Sequence, residues 1–267
     1  MAKSKSRFPI KLFLILGLLA VLLAGTWAFL NQEQLAGNLF LWLSPQKSES
    51  TGEDVLLRET PPAGEDYLRA TVFIGDSRTE GLVRYGLLEQ SQVFAEDGMN
   101  HKNARVKPVV EYEGGLLTIA QAVERAQPER MIVDFGINGF SFMSEEEFME
   151  EYEGLIDELH AASPDSAIII QSIFPVSSLK EQLDPSFANK KLERLNSLLY
   201  QLAEEKGCWY LALDESLCTE DGLNAAYAAG DGLHLSKEGY MAWLEYLITH
   251  AAYDPENPYV GGIDPKA

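Results

Sequence analysis

The chain has 267 residues, 46% of them apolar, and a net charge of -20. That is enough apolar sequence to bury the core of one medium domain, which excludes a disordered chain. The acidic balance argues against a nucleic-acid or anionic-lipid partner, because neutralising phosphates takes clustered Lys and Arg.

The chain opens with Lys3, Lys5, Arg7 and Lys11 and no acid, followed by an uncharged apolar run from Leu12 to Leu30. A secretory signal has an apolar stretch of about 7 to 15 residues before a small-residue cleavage site, whereas a membrane-spanning helix needs about 20. The run is nearer the second length, and Thr26-Trp27-Ala28 is a poor cleavage site. Residues 1–30 are therefore expected to be a cytoplasmic stub and a transmembrane anchor rather than a cleaved signal. All four cations precede the run, which predicts that the C-terminal bulk lies outside the cell membrane. Residues 31–68 read as a juxtamembrane segment and linker. The stretch NLFLWLSP (38–45) is apolar enough to lie against membrane or domain, and residues 46–66 form a polar lead-in broken by Pro61-Pro62-Ala63-Gly64.

Residues 69–253 read as one domain. Strand candidates are ATVFIG (70–75), VKPVVEY (106–112), MIVDFG (131–136), AIIIQSI (167–173) and CWYLAL (208–213). They are short, β-branched and mostly apolar on both faces, as strands of a parallel sheet covered on both sides are. Between them lie helical periods. Residues 144–162 begin with Ser144 and Glu147 in capping-box spacing and place Phe148, Tyr152, Leu155, Ile156 and Leu159 on one stripe. Residues 188–207 repeat the pattern with Leu192, Leu195, Leu199 and Leu202, and end at Gly207, a C-cap glycine. A last helix starts near Ser236, and residues 254–267 form a tail rich in Pro and Gly. This alternation predicts a single three-layer α/β sandwich with right-handed crossovers.

In open parallel sheets functional residues gather beyond the carboxyl ends of the strands. Gly75-Asp76-Ser77 ends the first candidate strand, Gly114-Gly115 follows the second, Gly136-Ile137-Asn138-Gly139 follows the third, and Asp231-Gly232-Leu233-His234 precedes the last helix. If these loops open on one edge, they bring together what acyl transfer needs. The hydroxyl of Ser77 needs a base, which His234 supplies, and the base needs its tautomer fixed, which Asp231 does. The backbone N–H groups of Ser77 and Gly115 and the side-chain amide of Asn138 are candidate oxyanion donors. Each piece alone is also an ordinary turn; the joint order is what carries the reading. Either Gly114 or Gly115 fits as the donor glycine, with Gly115 preferred.

The order Ser, Gly, Asn, Asp-x-x-His resembles the SGNH hydrolase family, also called GDSL lipases or esterases, over residues 70 to about 250. The resemblance implies a flavodoxin-like five-stranded parallel sheet. It also implies Ser77 as nucleophile, Gly115 and Asn138 with Ser77 as the oxyanion hole, and Asp231 and His234 as the remaining triad members. Two positions depart from the family pattern: Arg78 stands where Leu is usual, and Gly139 where Asp is usual. Arg78 is read as a solvated surface side chain, with an anionic substrate group as its alternative partner.

The expected activity is serine ester hydrolysis of O-acyl groups outside the membrane, on small-molecule or envelope-glycan esters, with no metal or organic cofactor implied. Acyl transfer by the same site, or a non-catalytic binding domain, are the alternatives. Phe140, Phe142 and Met143 are candidate acyl-pocket residues or a packed loop. His101, His160 and His250 read as surface or core fillers. Cys208 and Cys218 read as ordinary core residues or, outside the cytoplasm, as a permitted disulfide. No Gly-x-Ser-x-Gly elbow, Walker loop or dinucleotide fingerprint is present.

Overall fold

The computed structural model describes residues 55–252. The expected anchor at residues 12–30, the apolar segment 38–45 and the tail from Asp254 lie outside these residues. Among the described residues no helix is long and apolar enough to cross a membrane.

The elements follow in order as α1 (Glu65–Arg69), β1 (Thr71–Gly75), α2 (Ser77–Arg84), β2 (Val93–Ala95) and α3 (His101–Ala104). Next come β3 (Val110–Tyr112), β4 (Gly115–Leu117), α4 (Ile119–Ala126), β5 (Arg130–Asp134), α5 (Ile137–Phe140) and α6 (Glu145–Ala162). The chain continues through β6 (Ala167–Gln171), α7 (Ser178–Leu183), α8 (Asn189–Lys206), β7 (Trp209–Leu211) and α9 (Asp214–Leu217). It ends with β8 (Cys218–Thr219), β9 (Gly222–Leu223) and α10 (Lys237–Thr249).

Five strands form one parallel sheet in the order β2-β1-β5-β6-β7. The register sets Phe73 beside Ile132, Ile132 beside Ile169 and Ile169 beside Trp209. Because successive side chains on a strand point to opposite faces, these runs feed two cores. Val72, Ile74, Met131, Val133, Ile168 and Ile170 pack with the stripe of α6 (Phe148, Tyr152, Leu155, Ile156, Leu159) and with Leu192, Leu195, Leu199 and Leu202 of α8. Phe73, Ile132, Ile169 and Leu211 face the other way, onto Tyr67 of α1, Leu82 of α2, and Trp243 and Leu247 of α10. The helix ends fall where the sequence predicts, although at Ser144 only half of the capping box forms, the Glu147 carboxylate pairing with Lys102 instead. Ser144 accepts from the Glu147 N–H at 3.1 Å, Ser236 accepts from Gly239 at 3.2 Å, and Gly207 turns left-handed at φ 65° to stop α8.

The second strand of the sheet is not where the apolar pattern puts it. Residues 106–112 do not enter the sheet; their end, β3, pairs antiparallel with β4 in a separate hairpin. Val106 is 75% exposed, Pro108 has no N–H to donate, and Glu113 and Gly114 both have positive φ (49° and 83°), the backbone of a tight two-residue hairpin turn. The sheet edge is taken by the three residues of β2, pairing Phe73 with Val93 and Gly75 with Ala95.

Part of the lead-in, residues 55–66, packs on the domain. Leu57 donates to the Tyr210 carbonyl and Tyr210 to that of Val55, extending the β7 edge, while Thr60 and Ala63 donate to the carbonyls of Thr249 and Ile248.

Candidate active site

The turn after β1 is built from its small and polar residues. A Cβ on Gly75 would run into Thr79 Oγ1 and come within 2.6 Å of the Asp134 carbonyl oxygen, so only glycine lets α2 start this close to β5. Asp76 caps α2 by accepting the Arg78 N–H at 2.9 Å. Ser77 is thereby the first helical residue, half-buried at the carboxyl edge of the sheet, with no carbonyl inside the helix for its N–H.

Ser77 Oγ lies 2.9 Å from His234 Nε2, and His234 Nδ1 lies 2.6 Å from Asp231 Oδ2. The spacing of Asp231 and His234 has a local cause. Asp231 Oδ1 accepts the backbone N–H groups of Leu233 (2.9 Å) and His234 (3.0 Å), which curls the loop and leaves Oδ2 for the imidazole. Gly232 permits the curl, with φ 66° and its α-carbon against the Ser177 hydroxyl. Burial alone would raise the Asp231 carboxyl, but the hydrogen bonds from His234 and Leu233 outweigh it and bring it down to about 2. An Nδ1–H held by this carboxylate leaves the Nε2 lone pair facing the serine, the arrangement in which a hydroxyl becomes a nucleophile.

Asn138, on α5, is brought to the same turn. Its side-chain amide donates to Asp76 Oδ2 (3.1 Å) and to the Met99 carbonyl (2.9 Å). Gly136 makes the approach possible: φ is 149°, and a Cβ there would strike the Ile173 side chain. At Gly139 the ring of buried His101 occupies the space a side chain would need, 2.8 Å from where a Cβ would stand, so the Asp usual in the family does not fit.

Gly115 is not part of this assembly. It lies exposed in the β3–β4 hairpin, as does Gly114, because residues 106–112 are not a sheet strand. The glycine that follows the true second strand is Gly98, with φ 73°, next to Met99, whose carbonyl holds Asn138. The signal for it in the sequence is the short run Val93-Phe94-Ala95 ending at Asp97-Gly98, a turn dipeptide.

Beneath Ser77 lies a buried polar cluster. Asp76, Arg78 and Asp134 are 1%, 2% and 5% exposed. Burial, then the neighbouring charge of Asp134, pushes the Asp76 carboxyl up to about 7, and burial also raises Asp134. Arg78 is therefore no solvated surface residue, and its guanidinium lies 3.8 Å over the Phe174 ring.

Of the candidate pocket residues, Phe140 and Met143 are packed in the core and Phe142 is 64% exposed. His101 is wholly buried between Phe148 and Tyr152, His160 faces the Cys208 thiol at 3.5 Å, and His250 stacks on Tyr246. Cys208 and Cys218 are both free thiols, each pushed up to about 12 by burial.

The sequence profile of the GDSL-like lipase/acylhydrolase family matches residues 73–242. Similar solved structures include a Bacteroides fragilis protein described as an acylhydrolase, 19% identical over 65% of this chain and 82% of that one, with a TM-score of 0.51. A Streptococcus pneumonia protein described as a platelet activating factor is 18% identical over 85% and 96%, with a TM-score of 0.50. A GDSL-like lipase of Bacteroides thetaiotaomicron is 16% identical over 69% and 88%, also with a TM-score of 0.50. At such identities these likenesses speak for the fold. A comparison with curated proteins finds no match. The profile runs from β1 into α10, through both the Ser77 turn and the His234 loop, and on that ground the chain belongs to the GDSL-like lipase/acylhydrolase family and is a serine ester hydrolase.

Proposed function

We propose that Ser77 is the nucleophile of this hydrolase. The observation that carries the reading is the continuous chain from Ser77 Oγ through the His234 ring to Asp231 Oδ2, at 2.9 and 2.6 Å. Ser77 Oγ attacks the ester carbonyl while His234 Nε2 takes its proton, and the imidazolium then gives that proton to the departing alcohol. Water, deprotonated by the same nitrogen, attacks the acyl-serine, and collapse of the second tetrahedral intermediate frees the acid and restores Ser77. The oxyanion of each intermediate is met by the Ser77 N–H, by the Gly98 N–H in place of that of Gly115, and by the Asn138 amide once one of its two N–H groups turns from Asp76 or the Met99 carbonyl to the substrate.

The substrates proposed are O-acyl groups on small molecules or on glycans of the cell envelope. The support is location: the cationic start and uncharged run 12–30 read as an anchor that leaves the catalytic domain outside the cell membrane. Transfer of the acyl group to a sugar hydroxyl instead of water would use the same first half-reaction.

The test is labelling of the full-length chain with a fluorophosphonate, followed by mapping of the modified peptide. Label on Ser77, abolished by Ser77→Ala and by His234→Ala, is the expected result; label elsewhere, or undiminished label in either variant, overturns the assignment. Product analysis with an added sugar acceptor separates hydrolysis from transfer, and protease accessibility in intact cells tests the outward orientation.

A further inference from the structure

The residue directly after Ser77 reaches the residue directly before His234. Arg78 Nε donates to the Leu233 carbonyl at 3.2 Å, and Nη1 donates to the Phe174 carbonyl at 2.7 Å. The guanidinium lies 3.8 Å over the Phe174 ring, and the Arg78 backbone carbonyl accepts the Tyr240 hydroxyl of α10 at 2.7 Å. One buried side chain thus joins the start of α2, the exit of β6 and the loop that carries Asp231 and His234.

We infer that Arg78 is a positioning residue that sets the separation of Ser77 and His234, an inference that rests on the reading of His234 as the base. The loop's internal bonds, from Asp231 to the N–H groups of Leu233 and His234 and from Ala229 N–H to the His234 carbonyl, fix its shape. They do not fix its place over the sheet. The Asp231 side chain is 51% exposed and offers no anchor of its own. The Ser177 N–H holds the Gly232 carbonyl from the β6 side, at 2.9 Å. Arg78 ties the loop to the helix that bears the nucleophile. Leu, usual at this position in the family pattern, fills space but donates nothing to a carbonyl. Burying a guanidinium is costly, and here the ring, two carbonyls and the nearby carboxyls of Asp76 and Asp134 offset part of the cost, while Nη2 stays without a hydrogen-bond partner. A displacement of the base by about 1 Å is enough to cost roughly 100-fold in rate, so the link bears on turnover rather than on substrate binding.

The experiment compares full-length Arg78→Met and Arg78→Lys with Ser77→Ala and His234→Ala, measuring kcat and KM on p-nitrophenyl acetate and the thermal midpoint of each. In Arg78→Met, kcat should fall by about 10- to 100-fold with KM within about twofold, the signature of a lost transition-state arrangement. Arg78→Lys reaches one carbonyl but not both, and its kcat should lie between that of Arg78→Met and the wild type. Should Arg78→Met fail to fold, folded Arg78→Lys decides: reduced kcat at unchanged KM supports the inference, and wild-type kcat overturns it. A raised KM with kcat preserved assigns Arg78 to substrate binding and also overturns it. If Ser77→Ala or His234→Ala retains full activity, the underlying assignment of nucleophile and base fails instead.

Discussion

The side-chain amide of Asn138 and the carboxylate of Asp76 meet at 3.1 Å, although 62 positions separate them. Asp76 also caps the helix that begins with Ser77, so one carboxyl group holds both the Asn138 amide and the Arg78 N–H beside that serine. If the amide turns one N–H from Asp76 or the Met99 carbonyl to the oxyanion, as proposed above, replacing Asn138 by Ala should lower kcat by about 100- to 1,000-fold with little change in KM. Steady-state kinetics on a short ester checks this, and wild-type kcat in Asn138→Ala would remove the amide from the oxyanion hole.

Gly98 and Gly115 make opposite predictions. Gly115 has open space for a Cβ, its nearest neighbour being the Tyr112 carbonyl at 3.9 Å, so Gly115→Ala should leave activity and stability as they are. Gly98→Ala must hold a left-handed backbone at φ 73°, at a cost of about 1 to 2 kcal/mol, and should lower turnover by shifting the turn beside Asn138. Kinetics on the two variants decides; a larger loss in Gly115→Ala would return the hairpin glycine to the site.

Asp231→Asn keeps the size of the side chain but removes the charge that fixes the His234 tautomer. The comparable change in other serine triads lowers kcat by about 10,000-fold, and a loss of at least about 100-fold is expected here, where the carboxylate is more exposed. The carboxyl lies below its ordinary value of 3.8, at about 2, so its contribution to stability is complete above pH 4 and disappears as pH falls towards 2. Unfolding curves of wild type and Asp231→Asn should differ at neutral pH and converge across that window.

Asp76 has the opposite sign. Its carboxyl is raised from 3.8 to about 7 by burial and by Asp134, so the folded state holds this proton more tightly than the unfolded chain does. Its stabilising effect is full below pH 4 and is lost as pH rises through 7. Denaturant midpoints measured from pH 4 to 7 should show this decline in the wild type and a flatter slope in Asp76→Asn. Equal slopes would show that Asp76 does not carry the proton.

At Gly75 the prediction concerns folding. An added Cβ meets the Asp134 carbonyl at 2.6 Å and displaces Thr79, whose hydroxyl donates to Asp134 Oδ2 at 2.9 Å. Overpacking at a fixed backbone atom costs about 1 to 3 kcal/mol, and Gly75→Ala should lower the unfolding free energy by about that much. An unchanged thermal midpoint would contradict this account of the turn.

Local chemistry made much of the molecule legible. The stripes of α6 and α8 are one-dimensional patterns, read by period, and the caps at Ser144, Ser236 and Gly207 depend on residues within one turn. Four strands were readable because a run buried on both faces is apolar along its middle, as in Val72–Ile74 of β1, Met131–Val133 of β5 and Ile168–Ile170 of β6. The spacing of Asp231 and His234 was readable for the same reason, since a single carboxylate bonds the backbone and the ring of one short loop.

What the tertiary structure alone decided depends on contacts distant in sequence. VKPVVEY has the more strand-like composition, yet three residues of β2 take the sheet edge, because an edge place is settled by which segment can pair with β1 while the hairpin turn at Glu113-Gly114 closes on itself. The glycine that follows the second sheet strand changed with that choice, from Gly115 to Gly98. Arg78 was unreadable for a deeper reason: a guanidinium belongs in water unless carbonyls, carboxylates and an aromatic face are assembled around it. Those of Leu233, Phe174 and Asp134 come from three distant segments that only folding brings to one point.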